Sequence, residues 1–263
     1  MKLQVSRSTS PSVERALSIL ELLVHHPDGM GISELSRALD EAKSSLFVVL
    51  STMQQRGFIE KDLVTKRYTL GPQTLVIGSA YARHTNLLTE FHTVAAELVH
   101  ACGETVQLAI LRGRSILYIG KQEGTYPLRL VAEVGEQVPA HATSLGKVLL
   151  SGLSDTIIDE LYAGVALERL TTRTIISLDE LKQELAQVRM RGYAVDWGET
   201  LEEVRCVGVP VYNANGLITA ALSISAPITR MDEQRVAALA RQAQASAREL
   251  SRRLGYAMQQ GGA

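Results

Sequence analysis

The chain has 263 residues, of which 46% are hydrophobic and 21% are charged, and its formal net charge is −1. The hydrophobic content excludes an intrinsically disordered chain, and the near-zero charge excludes a protein that coats nucleic acid over its whole surface. A length of this order suits two ordinary domains, and we expect two.

The start of the chain, Met1 to Pro11, has no apolar stretch of the secretory type, and no run of the sequence approaches the ~20 apolar residues of a membrane span. We therefore expect a cytoplasmic protein with no membrane partner. Cys102 and Cys206 show no CxxC spacing, which predicts free thiols and no metal site in that reducing compartment.

Three helices are predicted before residue 57. The first begins at Pro11, directly after the capping residue Ser10, and ends near Pro27. The second spans about Ser33 to Leu39, and after a short polar turn the third spans about Lys43 to Arg56. Two short helices joined by a tight turn are typical of a helix-turn-helix.

The third helix has an apolar stripe and an outer face. The stripe comprises Leu46, Val49, Leu50 and Met53. The outward and sideways positions include Ser44, Ser45, Phe47, Val48 and Ser51. The runs Phe58 to Glu60 and Lys66 to Leu70 then predict a two-stranded wing. From Lys43 to Leu70, five basic residues stand against two acidic ones, and this local charge of +3 favours DNA phosphates.

The rest of the chain mixes helices with short strands. Helical spacing predicts a linker helix at Pro72 to His84 and further helices at Leu87–Cys102, Thr143–Leu153, Thr156–Tyr162, Leu178–Arg191 and Met231–Leu254. Alternation predicts antiparallel strands at Thr105–Leu111, Ser115–Gln122, Pro127–Ala132, Arg205–Tyr212 and Leu217–Ser225. This pattern indicates an α+β fold. We place the domains at 1–71 for the winged helix-turn-helix, 72–86 for the linker helix and 87–263 for the second domain.

The chain resembles the IclR family of bacterial regulators from Val13 to about Leu254. In the first domain the resemblance rests on Val13-Glu14-Arg15-Ala16-Leu17, Ile32-Ser33-Glu34-Leu35-Ser36-Arg37 and Arg56-Gly57-Phe58-Ile59. In the second it rests on Gly103-Glu104-Thr105-Val106, Pro127-Leu128-Arg129-Leu130, His141-Ala142-Thr143-Ser144, Gly146-Lys147, Arg191-Gly192-Tyr193-Ala194, Asp196 and Cys206-Val207 with Val209-Pro210-Val211. So many segments in the same order make the resemblance specific.

The resemblance implies a GAF-like effector domain, in which helices flank a six-stranded antiparallel sheet. It also implies binding to double-stranded operator DNA as a homodimer or a dimer of dimers, with Arg15 in the matched DNA-binding segment and with no cofactor. The family holds small organic acids with residues that match Asp196, Cys206, Ser223, Ser225 and the helix start Thr143-Ser144-Leu145-Gly146.

The residues of the third helix suggest how DNA is read. Its N-terminal half enters the major groove in such domains, so we expect Lys43 and Ser44 to hold phosphate. Members of the resembled family often carry a polar or basic pair where this chain has Phe47-Val48, and apolar contact with thymine methyl groups is the expected replacement. The alternative is that Phe47 packs inside the domain.

On the wing, Lys61, Lys66 and Arg67 suit contacts to the DNA backbone or the minor groove. The alternative for each of them is a solvated surface charge.

The second domain shows a candidate effector site. The period of two places Ser223 and Ser225 on one face of a strand, and in the neighbouring strand Cys206 and Gly208 share one face. A helix that begins near Thr143 offers free backbone amides to a carboxylate. The alternatives are ordinary polar strand residues, a buried cysteine and, for His141, a structural histidine.

Two other classes of function compete with an effector-controlled regulator. Cys206, His141 and Asp196 are the residue types of a Cys-His-Asp hydrolase, but Cys206 lies in an apolar strand, so we expect no enzyme activity. A winged-helix module that binds protein, with a dimerisation domain that senses nothing, is disfavoured by the basic cluster. Our hypothesis is that an effector moves the linker helix and so changes the spacing of paired recognition helices.

Overall fold

The computed structural model of the protein describes residues 10–84, 86–126 and 133–256. The chain divides into two compact units, Met1–His84 and Thr85–Ala263. No helix within these described ranges is long and apolar enough to cross a bilayer.

The N-terminal unit is a winged helix-turn-helix followed by a helix. Its elements are α1 (Pro11–Val24), α2 (Ile32–Ala38), α3 (Lys43–Gln55), β1 (Ile59–Lys61), β2 (Tyr68–Leu70) and α4 (Pro72–His84). The two strands are antiparallel, with Ile59 opposite Leu70. Ile19, Leu35, Leu46 and Leu50 are fully buried in one core, to which α1, α2, α3 and the two strands contribute. The predicted helix-turn-helix and wing are confirmed, and a helix is present at Pro72–His84, whose role as a linker stays a prediction.

The C-terminal unit places helices around one sheet. Its helices are α5 (Asn86–Cys102), α6 (Ser144–Ser151), α7 (Asp155–Tyr162), α8 (Leu178–Arg191) and α9 (Glu233–Arg253). Its strands are β3 (Thr105–Arg112), β4 (Ser115–Gln122), β5 (Gln137–Pro139), β6 (Ala194–Asp196), β7 (Val204–Tyr212) and β8 (Ile218–Pro227), and a 3-10 turn at Ala140–Ala142 leads into α6.

The sheet has six antiparallel strands in the order β5-β4-β3-β8-β7-β6. The sequence does not predict β5 and β6, because three residues are too few to show alternation. The strand expected at Pro127–Ala132, with the matched segment Pro127-Leu128-Arg129-Leu130, lies outside the described residues. The α+β class and the antiparallel sheet flanked by helices are confirmed.

The two faces of the sheet support different cores. On one face, Val207, Val209, Leu222 and Ile224 pack in a cluster with α5 and α9. On the other face, Ala109, Ala221 and the apolar side chains of α6, α7 and α8 form a second cluster. Because residues of a strand alternate between faces, Cys206, Gly208, Ser223 and Ser225 lie on the α6 side. This is the arrangement that the period of two predicts.

Candidate functional site

The outer face of α3 carries exposed side chains of mixed chemistry. Lys43, Ser44 and Ser51 are exposed, whereas Ser45 is half-buried. Phe47 is 56% exposed and Val48 is 66% exposed. The alternative in which Phe47 packs inside the domain is therefore wrong, since Leu46, Val49, Leu50 and Met53 already form the buried stripe.

The basic residues of this unit differ in how they are held. Lys66 is exposed, and Lys61 is half-buried with its Nζ 5.0 Å from the centroid of the Tyr68 ring. Arg67 Nη2 instead donates to the Gly29 carbonyl at 2.7 Å, and its guanidinium lies 3.1 Å from Glu34 Oε2. Its side chain thus connects the residue before β2 with α2 and with the turn that precedes α2, a role that the charge count did not reveal.

Arg15 is held in the same way. Its Nε donates to Glu41 Oε1 at 2.7 Å, which joins α1 to the turn before α3. Each guanidinium group forms an ion pair within the domain, so the positions of Arg15 and Arg67 give no support to the DNA contacts expected of them.

A cavity opens in the C-terminal unit between the sheet and the start of α6. The volume inside it that the centre of a water molecule can occupy is about 90 Å³. A single water needs about 10–15 Å³ by the same measure, so the cavity has room for a small organic molecule. Seven of the residues that the sequence singled out line it, namely Thr143, Ser144, Leu145, Asp196, Cys206, Ser223 and Ser225. Gly146 does not line it.

The start of α6 is fixed by a cap and by the close approach of β7. Thr143 Oγ1 accepts from the Gly146 amide at 2.8 Å, so that amide is not free for a ligand. The amides of Ser144 and Leu145 belong to the first helical turn, which leaves them without an acceptor inside the helix. A Cβ on Gly208 would lie 2.7 Å from the Ser144 carbonyl oxygen, so only glycine lets β7 approach the helix start this closely.

Two polar atoms of the cavity wall are buried without a partner. Gln107 Oε1 accepts from Ser225 Oγ at 2.9 Å, but Gln107 Nε2 makes no hydrogen bond in the described structure. Ser223 Oγ, in a residue that is 1% exposed, also makes none. Buried polar groups are almost always satisfied, so these two atoms mark a place for a ligand or an ordered water.

Asp196 lies at the cavity and orders the loop after β6. Its Oδ1 accepts from the amides of Gly198 and Glu199, and its Oδ2 accepts from Thr200 Oγ1 at 3.0 Å. Burial raises the pKa of Asp196, although these bonds and the positive charge of Lys147 act in the opposite direction. Asp196 therefore has a structural role as well as a place in the cavity wall.

A buried ion pair lies behind the cavity. Lys147, 1% exposed, points from α6 under the sheet edge, where its Nζ donates to Glu199 Oε1 at 2.5 Å and to the Val195 carbonyl at 2.6 Å. Burial raises the pKa of Glu199 to about 7, and Lys147 opposes that shift. Glu199 Oε2 is buried and has no hydrogen-bond partner among the described residues. The pair connects α6 with the loop that Asp196 orders.

The structure does not assemble a cysteine hydrolase. Burial raises the pKa of the Cys206 thiol, which lies 3.1 Å from Ser225 Oγ. His141 is 3% exposed, and its Nε2 is 2.9 Å from the Glu168 carbonyl, away from the cavity that Cys206 lines. A carbonyl can only accept, so Nε2 carries the proton, in agreement with the structural role considered for this histidine.

Two family models match the chain. The IclR helix-turn-helix domain matches residues 12–63, and the bacterial transcriptional regulator IclR C-terminal domain matches residues 79–252. The chain belongs to the IclR family. As an IclR-family protein it is a DNA-binding transcription regulator with a C-terminal ligand-binding domain.

Relatives and solved structures agree with this IclR-family membership. The HTH-type transcriptional regulator XynR of Escherichia coli (strain K12) is 35% identical over 93% of this chain and 97% of its own length. The crystal structure of Thermotoga maritima IclR matches with a TM-score of 0.74 at 30% identity, covering 93% of this chain and 99% of that one. An IclR homolog from Microbacterium hydrocarbonoxydans complexed with 4-hydroxybenzoate has the same fold, with a TM-score of 0.81 at 21% identity and coverage of 92% and 98%.

The sequence did not reveal every residue around the cavity of this IclR-family chain. The lining also includes Gln107, Tyr118, Glu136, Val138, Thr200, Leu201 and Val204. The sequence could have indicated Gln107, because it is a polar residue between apolar neighbours in a strand, as Ser223 is. No sequence pattern indicates Tyr118 or Glu136, since the pairing of β4 with β5 brings them to the cavity wall.

Proposed function

We propose that this regulator responds to a small organic acid bound in the cavity between the sheet and α6. The observation that carries the proposal is that Gln107 Nε2 and Ser223 Oγ, both buried and unpartnered, line the same cavity as the first turn of α6. A ligand that accepts hydrogen bonds removes the cost of two unsatisfied donors, about 1–3 kcal/mol each.

The groups of the wall favour a carboxylate. Donors dominate, namely the amides of Ser144 and Leu145, Gln107 Nε2, Ser223 Oγ and the hydroxyl of Tyr118, whose pKa burial raises so that it stays protonated. The start of a helix also carries partial positive charge, which stabilises an anion. The ligand of the Microbacterium hydrocarbonoxydans structure, 4-hydroxybenzoate, is likewise a carboxylate.

The acidic side chains of the wall add a second requirement. Asp196 and Glu136 line the cavity, and among the described lining residues none is basic. Among the described residues, Thr200 alone donates to Asp196 Oδ2, which leaves room for one more donor. We therefore propose an acid that also carries a hydroxyl group, with the carboxylate at the start of α6 and the hydroxyl toward Asp196.

Replacing Ser223 with alanine is expected to weaken binding of the acid about tenfold without lowering the stability of the free protein. The reason is that Ser223 Oγ has no partner until a ligand supplies one. The measurement is a thermal-shift screen against keto, hydroxy and aromatic acids, followed by calorimetry with any acid that raises the melting temperature.

Ser246→Ala is the matched control, because Ser246 lies on α9, which packs against the opposite face of the sheet. Equal affinity in Ser223→Ala and Ser246→Ala would show that the acid does not bind at Ser223. If no acid shifts the melting temperature, the carboxylate part of the proposal is wrong and the DNA-binding assignment stands.

For DNA recognition, we propose that the N-terminal half of α3 enters the major groove. Lys43 and Ser44 would hold phosphate, and Phe47 with Val48 would contact thymine methyl groups, assisted by Ser45 and Ser51. Exposure of two adjacent apolar side chains on an otherwise polar face supports this assignment. On the wing, Lys61 and Lys66 would add contacts to the DNA backbone.

Truncating Phe47 to alanine is expected to weaken binding to a selected operator by about 1–3 kcal/mol while leaving the salt dependence unchanged, because no phosphate contact is lost. Lys43→Ala is expected to reduce the slope of log affinity against log salt by about 1. Operators selected from random duplexes, followed by titrations at several salt concentrations, measure both effects.

Leu217→Ala is the control for Phe47→Ala, since Leu217 is 63% exposed in the other unit. If Phe47→Ala and Leu217→Ala had the same operator affinity and the same preference for thymine, Phe47 would not contact the bases. Binding that does not weaken with salt would favour the alternative of a protein-interaction module.

We also propose that the regulator acts in the cytoplasm as a homodimer or a dimer of dimers. The exposed apolar side chains of α4 support self-association, since Leu75 is 72% exposed and Val76 and Ile77 are each more than half exposed. Light scattering of the full chain measures the state, and a monomer at operator-binding concentrations would contradict it.

A further inference from the structure

A second polar cleft lies in the C-terminal unit, beside the 3-10 turn that precedes α6. It offers about 180 Å³ to the centre of a water molecule, and its wall includes Arg114, Ser115, Pro139, His141, Tyr162 and Glu168. All of these residues belong to the described part of the chain. None of them lines the cavity between the sheet and α6, which is called the effector cavity below.

Tyr162 supplies the decisive observation. The residue is 4% exposed, and its Oη is buried with no hydrogen-bond partner in the described structure. Burial raises the pKa of Tyr162 to about 12, so the hydroxyl keeps its proton and is a free donor at neutral pH. An unsatisfied hydroxyl in a polar cleft is a position at which an acceptor is missing.

Arg114 supplies a positive charge in the same cleft. Its Nη1 donates to the Leu161 carbonyl at 3.3 Å, and its guanidinium is close enough to lower the pKa of Tyr162 in opposition to burial. Within the described chain, this is the one hydrogen bond of the Arg114 side chain, and it forms no ion pair. Burial lowers the pKa of His141, so its ring is neutral and adds no charge at neutral pH.

We propose that this cleft is a second binding site, for a small monoanion of the carboxylate type held by Tyr162 Oη and the Arg114 guanidinium. Glu168 also lines the cleft with an exposed side chain, and its negative charge disfavours a dianion such as phosphate. The proposal is independent of the effector proposed for the other cavity.

The proposed site and the effector cavity share a segment of the chain. Pro139 and His141 line the cleft, whereas Val138 and Thr143 line the effector cavity, so one short segment contributes to both walls. An anion in the cleft therefore lies one 3-10 turn from the start of α6.

The test is a nuclear magnetic resonance titration of the full chain with sodium acetate, with inorganic phosphate and with sodium chloride at matched ionic strength. We expect acetate to move the backbone amide signals of Arg114, Ser115 and Glu168 in a saturable way. Tyr162→Phe keeps the buried ring and removes only the oxygen, and we expect acetate affinity to fall about tenfold. Arg114→Gln, at an exposed position, is expected to have the same effect.

Ser223→Ala separates this site from the effector cavity, and we expect it to leave acetate binding at the cleft unchanged. Loss of the acetate response in Ser223→Ala but not in Tyr162→Phe would place the acetate in the effector cavity and overturn the proposal. Equal responses in wild type and Tyr162→Phe, no saturable response, or the same response to chloride would also overturn it. Tighter binding of phosphate than of acetate would contradict the monoanion assignment.

Discussion

Replacing Lys147 with methionine is expected to lower the free energy of unfolding of the C-terminal unit by ~3–5 kcal/mol at neutral pH. The ammonium group is buried and donates to Glu199 and to the Val195 carbonyl, so its removal leaves a buried carboxylate and a buried carbonyl without their partner. Urea unfolding followed by the fluorescence of Trp197, the one tryptophan of the chain, reports on this unit alone.

The deficit of Lys147→Met, meaning the free energy of unfolding that it lacks relative to the wild type, is expected to shrink as the pH falls. Glu199 has its pKa raised from 4.5 to about 7, so the folded state binds its proton more tightly than the unfolded state does. The contribution of the Glu199 carboxyl to the free energy of unfolding is therefore fully present below about pH 4.5 and is lost as the pH rises through about 7. Removing Lys147 raises that pKa further, which makes the deficit largest above pH 7.

Lys147→Met combined with Glu199→Leu is the control for charge. Because an apolar pair of similar volume no longer buries an unpaired carboxylate, most of the lost stability should return, leaving the unpartnered Val195 carbonyl as the remaining cost. A double variant as unstable as Lys147→Met, or a deficit that is constant from pH 4.5 to 8, would show that the ion pair is not the cause.

Gly208→Ala is expected to reduce effector affinity at least tenfold and to lower stability by about 1–3 kcal/mol. The added Cβ would lie 2.7 Å from the carbonyl carbon and oxygen of Ser144 and 3.0 Å from the Leu145 amide nitrogen. These are backbone atoms that cannot rotate away, so the start of α6 has to move from the cavity. Calorimetry with the acid from the screen and thermal unfolding measure the two effects.

Gly78→Ala provides the same substitution in an open position. A Cβ at Gly78 meets nothing within 4 Å, and the residue lies inside α4, so alanine should stabilise the helix by about 0.5–1 kcal/mol. If Gly208→Ala behaved like Gly78→Ala and kept full effector affinity, the close approach of β7 to α6 would not shape the site.

Local patterns were sufficient for much of this fold. The apolar stripe of α3 predicted which side chains are buried, and helical spacing predicted α8 with the bounds that the structure has, Leu178–Arg191. The period of two assigned Ser223 and Leu222 to opposite faces of β8. These features depend on the order of neighbouring residues, which a sequence displays directly.

The features that escaped prediction depend on contacts between distant segments. Lys147 and Glu199 are far apart in the chain, and nothing near either residue indicates that they form a pair. In the sequence Arg67 looks like a free basic residue, whereas in the structure it bonds to the Gly29 carbonyl and pairs with Glu34. The role of Gln107 likewise requires the pairing of β3 with β8, which places it opposite Ser223.

The alternation along β8 separates two tasks that a single strand performs. Leu222 and Ile224 are fully buried in the cluster with α9, whereas Ser223 and Ser225 line the cavity. Substitutions at the odd-numbered positions therefore change the cavity wall without changing the side chains of the core. Insertion of a single residue within β8 would exchange the two sets, placing hydroxyls in the core and leucine in the cavity, so this strand tolerates substitution far better than a change in length.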